Sequence, residues 1–205
     1  MIYYSYGDRA KPEIALTFDD GPNPPITYYL LDILDDLGIK ANFFLLGHLA
    51  LKYPQAVIEI RDRGHLIGAH GYIHHRKERP DFVLGARILQ DITGKRPKFY
   101  RPPYGNLKLC QGSPVFSQKD NKIIQWDVDP QDWKFLSVDI LYQKIKKAVR
   151  NGSIIDLHDG SQHYEERGVR PFYMLEVLPR IIQELHSQGF IFKRLDEMKL
   201  APLKF

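Results

Sequence analysis

The stretch Ile14-Ala15-Leu16-Thr17-Phe18-Asp19-Asp20-Gly21-Pro22 decides the fold. The run from Ile14 to Phe18 is uncharged, almost wholly apolar and followed closely by a Gly-Pro break, the pattern of a buried parallel strand whose carboxyl end opens on a surface. Strand ends of this kind carry the reactive groups of α/β enzymes. Asp19 and Asp20 repel each other as neighbouring charges, so the pair calls for a cation or for two different roles. As a solvated turn it would need neither.

Outward from this strand, apolar runs and amphipathic segments alternate along the 205 residues, which predicts a parallel sheet or barrel. Pro24-Pro25 leads into a helix with Ile26, Leu30, Ile33, Leu34 and Leu37 on one face, stopped by Gly38. Further strands are expected at 41–46, 65–69, 98–100, 123–126, 154–157 and 190–192. Helices are expected from about Pro54 to Gly64 and over 82–92, 137–149 and 174–188, with Ser137 as an N-cap and Gly94, Gly152 and Gly189 as stops. Residues 106–121 show no clear period. The count is about seven βα units, one short of a full TIM barrel. The expected class is therefore α/β, an irregular or incomplete (β/α) barrel of about seven parallel strands, with 1–205 as a single domain because no linker is long enough to divide it.

Composition narrows the rest. With 43% hydrophobic and 26% charged residues the chain has material for a full core, which excludes disorder. Its one cysteine, Cys110, excludes an intrachain disulfide. A net charge of +4 without a Lys/Arg run gives no signature of nucleic-acid binding. No window approaches a membrane span. Met1-Ile2-Tyr3-Tyr4-Ser5-Tyr6 has neither the basic region nor the cleavage site of a leader. As it stands the chain is expected to be soluble and cytoplasmic, or at the envelope or outside the cell if a leader was removed. The oligomeric state is not legible.

The remaining strand ends meet the same mouth. His70 closes the strand at 65–69 and His74 follows in the next loop; the two imidazoles, an i, i+4 pair able to face one way across a helical turn, combine with a carboxylate of the Asp pair to suit Zn²⁺ or another borderline divalent ion. Gly71 stands where the zinc-protease pattern needs a glutamate, so the base falls to the other member of the pair. The strand at 98–100 ends in Arg101-Pro102-Pro103-Tyr104-Gly105, a rigid turn whose guanidinium can hold a carboxylate ionised. The next two deliver Trp126-Asp127-Val128-Asp129-Pro130-Gln131-Asp132-Trp133 and His158-Asp159-Gly160. Ordinary loops would mix in more Ser, Lys and Glu.

In chain order, Thr17-Phe18-Asp19-Asp20-Gly21, His70-Gly71-Tyr72-Ile73-His74, Arg101-Pro102-Pro103-Tyr104, Asp129-Pro130-Gln131-Asp132-Trp133 and the segment ending at His158 resemble the motifs of the NodB-homology polysaccharide deacetylases, carbohydrate esterase family 4. The resemblance runs over nearly the whole chain. It implies that Asp20, His70 and His74 hold one divalent metal, Zn²⁺ first, with Co²⁺ or Ni²⁺ as alternatives. It implies Asp19 as general base held by Arg101, His158 as general acid oriented by Asp132, and the Tyr104 N–H as an oxyanion donor. A metal lowers the pKa of bound water towards ~7, within reach of a carboxylate base, and imidazole can protonate a leaving amine near neutral pH. The reaction so implied is hydrolysis of an N-acetyl amide on a peptidoglycan- or chitin-like amino-sugar polymer or oligosaccharide.

Substrate contacts are expected from Pro103, Tyr104, Trp133 and position 156, with Tyr72 and Tyr164 as further aromatic candidates. The chain departs from the family at three places. Gly71 replaces the usual Ser or Thr, Ala69 the common Asn, and Asp156 the apolar residue, often Leu, that with Trp133 encloses the acetyl methyl. Alternation puts Asp156 on the same side as His158. A buried carboxylate there requires a partner such as Arg, Lys or His, a bulge that turns it away, or an acyl group other than plain acetyl. The last option gives an alternative function, the same mechanism on another acyl group or a non-carbohydrate amide. A second alternative is a metal-retaining carbohydrate-binding protein without turnover.

Overall fold

The computed structural model describes residues 1–75, 79–134, 137–160 and 172–205. The strand that opened the sequence reading is β2, Glu13–Asp19, preceded by β1, Ile2–Gly7. Then come α1 (Ile26–Asp36), β3 (Asn42–Leu45), α2 (Gly47–Lys52), α3 (Pro54–Asp62), β4 (Leu66–Ala69), α4 (Phe82–Thr93) and β5 (Phe99–Tyr100). The chain continues with β6 (Lys122–Ile124), α5 (Val138–Ala148), β7 (Ile154–His158), α6 (Phe172–Ser187), β8 (Ile191–Phe192) and β9 (Leu200–Lys204).

The sheet runs β7-β2-β3-β4-β5-β6-β1-β9, with β8 paired to the foot of β2. All pairs are parallel except β1 with β9. After β6 the chain crosses to the other edge, where Val128 bridges Ile155 and its carbonyl accepts the Asp156 N–H at 2.9 Å. That crossing closes the wall into a distorted barrel, the expected class.

Alternation along the strands sorts the core into two layers. Ile14, Leu16, Phe18, Phe43, Leu45, Ile155 and Leu157 face the helices in the larger apolar cluster. Ala15, Phe44, Leu66, Phe99, Ile124 and Ile154 fill the barrel, and Leu195 and Met198 join them at its foot. Phe44 can lie across β4 because its register partner is Gly68, where a Cβ would come within 2.6 Å of the Phe44 ring.

Differences from the sequence reading have local causes. β1 and β9 were not anticipated: Tyr dominates the first, and Pro202 stands inside the second. Proline is tolerated there because β9 is an edge strand, antiparallel to β1 with Tyr4 opposite Pro202. Residues 106–121 lack a period because they fold as short 3₁₀ turns, Leu107–Cys110 and Pro114–Ser117. The short helix α2 carries no side-chain cap that would mark its start.

One core contact carries a pH dependence. His65 is 5% exposed, accepts the Ala41 N–H on Nδ1 at 3.1 Å and packs edge-on against Phe43. Burial, helped by Lys40, pushes its pKa down to about 4. The unfolded chain therefore binds a proton that the folded chain refuses, so stability is complete above the ordinary value of 6.5 and falls as pH drops towards about 4. Denaturant titrations of wild type and a non-titrating His65→Asn chain should diverge across that window by up to ~3 kcal/mol, the wild type losing more.

Candidate metal and acid–base site at the barrel mouth

Asp20 leaves the end of β2 with φ 69° and is buried. Its Oδ1 lies 3.4 Å from His70 Nε2 and 3.8 Å from His74 Nε2, and has no hydrogen-bond partner among the described residues. His70 Nδ1–H donates to the Arg101 carbonyl at 2.8 Å, which turns Nε2 towards Asp20. The His70 and His74 rings stack with centroids 5.3 Å apart, and the Tyr104 ring meets His74 at 4.1 Å.

The electrostatics fit a cation. Burial disfavours the Asp20 carboxylate, yet His70 and His74 outweigh it and hold the group well below the usual carboxylate range. Burial alone would lower the His70 pKa, but Asp19 and Asp20 raise it on balance. Burial brings His74 down to about 4, leaving the neutral imidazole a metal needs. An orphaned buried oxygen facing two imidazole nitrogens at these separations matches ligands about 2.0–2.1 Å from one tetrahedral ion. Asp20, His70 and His74 are thus a set that could hold a metal.

The histidine pair is not on a helix. The chain turns at Gly71 with φ 92°, a left-handed value that a side chain would strain, and a Cβ there would approach Pro80 Cβ to 2.7 Å. The departure from Ser or Thr at this position thus has a backbone reason. His75 is exposed and belongs to neither of the metal-capable clusters among the described residues.

Asp19 Oδ1 accepts from Arg101 Nη1 at 2.7 Å, and its Oδ2 lies 3.8 Å from His70 Nε2. Arg101 is fully buried, with its guanidinium over the Phe44 ring at 4.3 Å and near Trp126 at 5.4 Å. Asp156 also reaches it, Oδ1 to Nη1 at 2.7 Å. Of the options for a buried aspartate at this position, the fold takes the arginine partner.

His158, the register partner of Asp19, is held by Asp132 twice: its Nδ1–H donates to Oδ1 and its backbone N–H to Oδ2, both at 2.8 Å. Burial opposes the imidazolium, but Asp132, Asp156 and Asp20 raise its pKa well above the ordinary value. Asp132 follows Gln131, whose φ of 61° and N–H bond to Asp129 Oδ1 at 2.8 Å form a tight turn. Tyr104 is likewise left-handed, φ 59°, beside buried Pro103. Asp20, Tyr104 and Gln131 are the non-glycine residues with positive φ among those described, and each belongs to a strand-end segment at this mouth.

Trp133 is half-buried beside Asp132, with the Lys134 ammonium over its ring at 5.0 Å. Tyr72 packs on the core and its carbonyl meets His48, while Tyr164 lies outside the described residues. Sequence reasoning missed Phe44 and Trp126, the faces that flank Arg101, and Thr27, whose hydroxyl donates to Asp159 Oδ2 at 2.6 Å. Asp159 was noted only as a neighbour of His158; buried beside the β2–α1 loop, it is pushed up to about 7 by burial and, after the opposing Thr27 bond, by Asp20. Nothing in the local sequence signals contacts made across 132 residues.

A parallel barrel that gathers paired carboxylates, imidazoles and a buried arginine on its carboxyl-terminal mouth is built as a hydrolase. The family model described as polysaccharide deacetylase matches residues 6–109. The chain is 35% identical to a peptidoglycan-N-acetylglucosamine deacetylase of Bacillus cereus, over 95% of its own length and 72% of that protein's. It is 32% identical to a chitooligosaccharide deacetylase of Sinorhizobium fredii, covering 91% of both. A crystal structure of the peptidoglycan N-acetylglucosamine deacetylase Bc1960 superposes with a TM-score of 0.83 at 34% identity, over 96% of this chain and 92% of that one. The chain belongs to the polysaccharide deacetylase family, the NodB-type carbohydrate esterases of family 4, and is a hydrolase of carbon–nitrogen bonds other than peptide bonds. No helix among its described residues is long and apolar enough to cross a membrane.

Proposed function

We propose that residues 1–205 form one catalytic domain that removes N-acetyl groups from an amino-sugar polysaccharide or oligosaccharide of peptidoglycan or chitin type. The observation that carries this reading is the pairing of Asp19 with Arg101 and of His158 with Asp132 on neighbouring strands beside Asp20, His70 and His74. A divalent ion held by those last three residues, Zn²⁺ first with Co²⁺ or Ni²⁺ as alternatives, would supply Lewis acidity to the carbonyl and to the attacking water.

Asp19 takes the proton of that water as its oxygen bonds to the acetyl carbon. Arg101 Nη1 holds and aims that carboxylate from 2.7 Å. The Tyr104 N–H donates to the oxygen that gains charge. His158 Nε2–H protonates the sugar nitrogen as the C–N bond breaks, giving acetate and a free amine, while Asp132 holds the ring by Nδ1. Tyr104 and Trp133 offer aromatic faces for sugar rings, with Pro103 fixing the turn beneath.

Two features favour this over the alternatives. The Asp156 carboxylate is satisfied by Arg101, which removes the reason to invoke a charged or unusual acyl group. Binding without turnover would need neither a held base nor a held acid. The named substrates of the relatives support the carbohydrate class, and a peptidoglycan substrate would place the protein at the cell envelope. Acetate release from N-acetylated chitooligosaccharides and peptidoglycan fragments, after chelation and reloading with Zn²⁺, Co²⁺ or Ni²⁺, is expected only with an ion present. No acetate from either substrate with any of the three ions would refute the assignment.

A further inference from the structure

Parallel register sets Thr17 opposite Asp156 and Asp19 opposite His158. Because side chains alternate, these four point into the barrel in two layers, Thr17 and Asp156 below, Asp19 and His158 at the mouth. Arg101 bridges the layers through one nitrogen: the two N–H bonds of Nη1 are shared among three acceptors, Thr17 Oγ1 at 2.8 Å, Asp19 Oδ1 at 2.7 Å and Asp156 Oδ1 at 2.7 Å. Its Nη2 has the Gln125 carbonyl at 3.3 Å, and its buried Nε has no hydrogen-bond partner among the described residues. The guanidinium is therefore aimed by Nη1. Thr17 gives its own hydroxyl proton to the Ile155 carbonyl at 2.7 Å, so towards Arg101 it acts as a neutral acceptor.

We infer that Asp156 is a positioning residue for the base, anchoring Arg101 from the layer below so that the guanidinium meets Asp19 in a single orientation; this rests on the reading of Asp19 as base. With an apolar residue at 156 the lower layer would keep one acceptor, Thr17 Oγ1, and the buried guanidinium would lose the contact that fixes it from below. Asp19, Asp156 and His158 also have the spacing of a cation site. Arg101 Nη1 already supplies positive charge to both carboxylates, which makes the group a guanidinium cradle. Burial and the charge of Asp19 push the Asp156 carboxyl well above its usual range against the pull of Arg101. The anchor acts through an acceptor oxygen 2.7 Å from Nη1, so an acceptor of the same shape should serve.

Asp156→Leu is expected to keep its divalent-ion affinity and lose about 10–100-fold in kcat for acetate release, with KM within about 3-fold. Asp156→Asn, which retains an acceptor oxygen, should recover most of that loss. A second reading needs no turnover: in ion-free protein with nitrogen-labelled arginine, the Arg101 guanidinium protons should exchange slowly in wild type and Asp156→Asn, and shift into fast exchange in Asp156→Leu. A leucine chain with kcat within about 2-fold of wild type, a loss confined to KM, or an unmoved Arg101 resonance would overturn the inference. Should the leucine chain not fold, the asparagine chain decides: a retained slow signal supports the anchor and a released one refutes it. Wild type that releases no acetate would sink the assigned reaction, while the Arg101 signal would still judge the anchor.

Discussion

Asp19→Asn should lower kcat for acetate release by about 10²–10⁴-fold while the protein binds its divalent ion with undiminished affinity. The asparagine is nearly isosteric and keeps an oxygen for Arg101 Nη1, now 2.7 Å from Asp19 Oδ1, but an amide cannot take a proton from water. The proposed ligands Asp20, His70 and His74 remain. Calorimetric titration of Zn²⁺ into the chelated variant, beside its turnover, separates a lost base from a lost ligand. Turnover near wild type would remove Asp19 from the mechanism, and a collapse of ion affinity would make it a ligand instead. Asp20→Asn should show the converse, with ion binding lost first.

Asp132→Asn should be comparably severe for a different reason. Asp132 holds both the ring and the backbone N–H of His158 at 2.8 Å, so its loss frees the tautomer and the orientation of the acid together. A carboxylate that orients an imidazole in this way is worth about 10⁴-fold in serine proteases; here about 10²–10⁴-fold in kcat is expected. The sign of the pH effect follows from the shift. As the proposed acid His158 must be protonated to act, its pKa is raised chiefly by Asp132 against burial, and activity should therefore fall as pH rises through that raised value. Without Asp132 the pKa drops, and the alkaline limb of kcat/KM should move to lower pH. A limb that stays in place would show that His158 does not set it.

Much of the mouth was legible because its groups sit where β-rich runs stop. Asp19 and Asp20, His70, Arg101 and His158 each follow a short apolar strand, and that punctuation survives in the sequence. The loop geometry did not. The His70–His74 spacing fits a helix, yet a left-handed glycine bends the chain instead, and spacing alone cannot tell the two apart. Asp156 showed as an anomaly without its solution, because its partner Arg101 lies 55 residues away and arrives only when β5 enters the same barrel. Strand β1 was hidden by its half-buried tyrosines and β9 by its edge position, where a proline interrupts the usual pattern.

The foot of the barrel is shut. Phe44, Phe99, Ile124 and Ile154 fill the bore, Leu195 and Met198 seal its lower end, and each is at most 8% exposed. A polymer cannot thread such a bore; it has to lie across the mouth, where an interior sugar is as accessible as a terminal one. Among the described residues the mouth is the open end, so in the proposed reaction substrate, water, acetate and product all pass there, and a molecule lodged in it should halt entry and exit together.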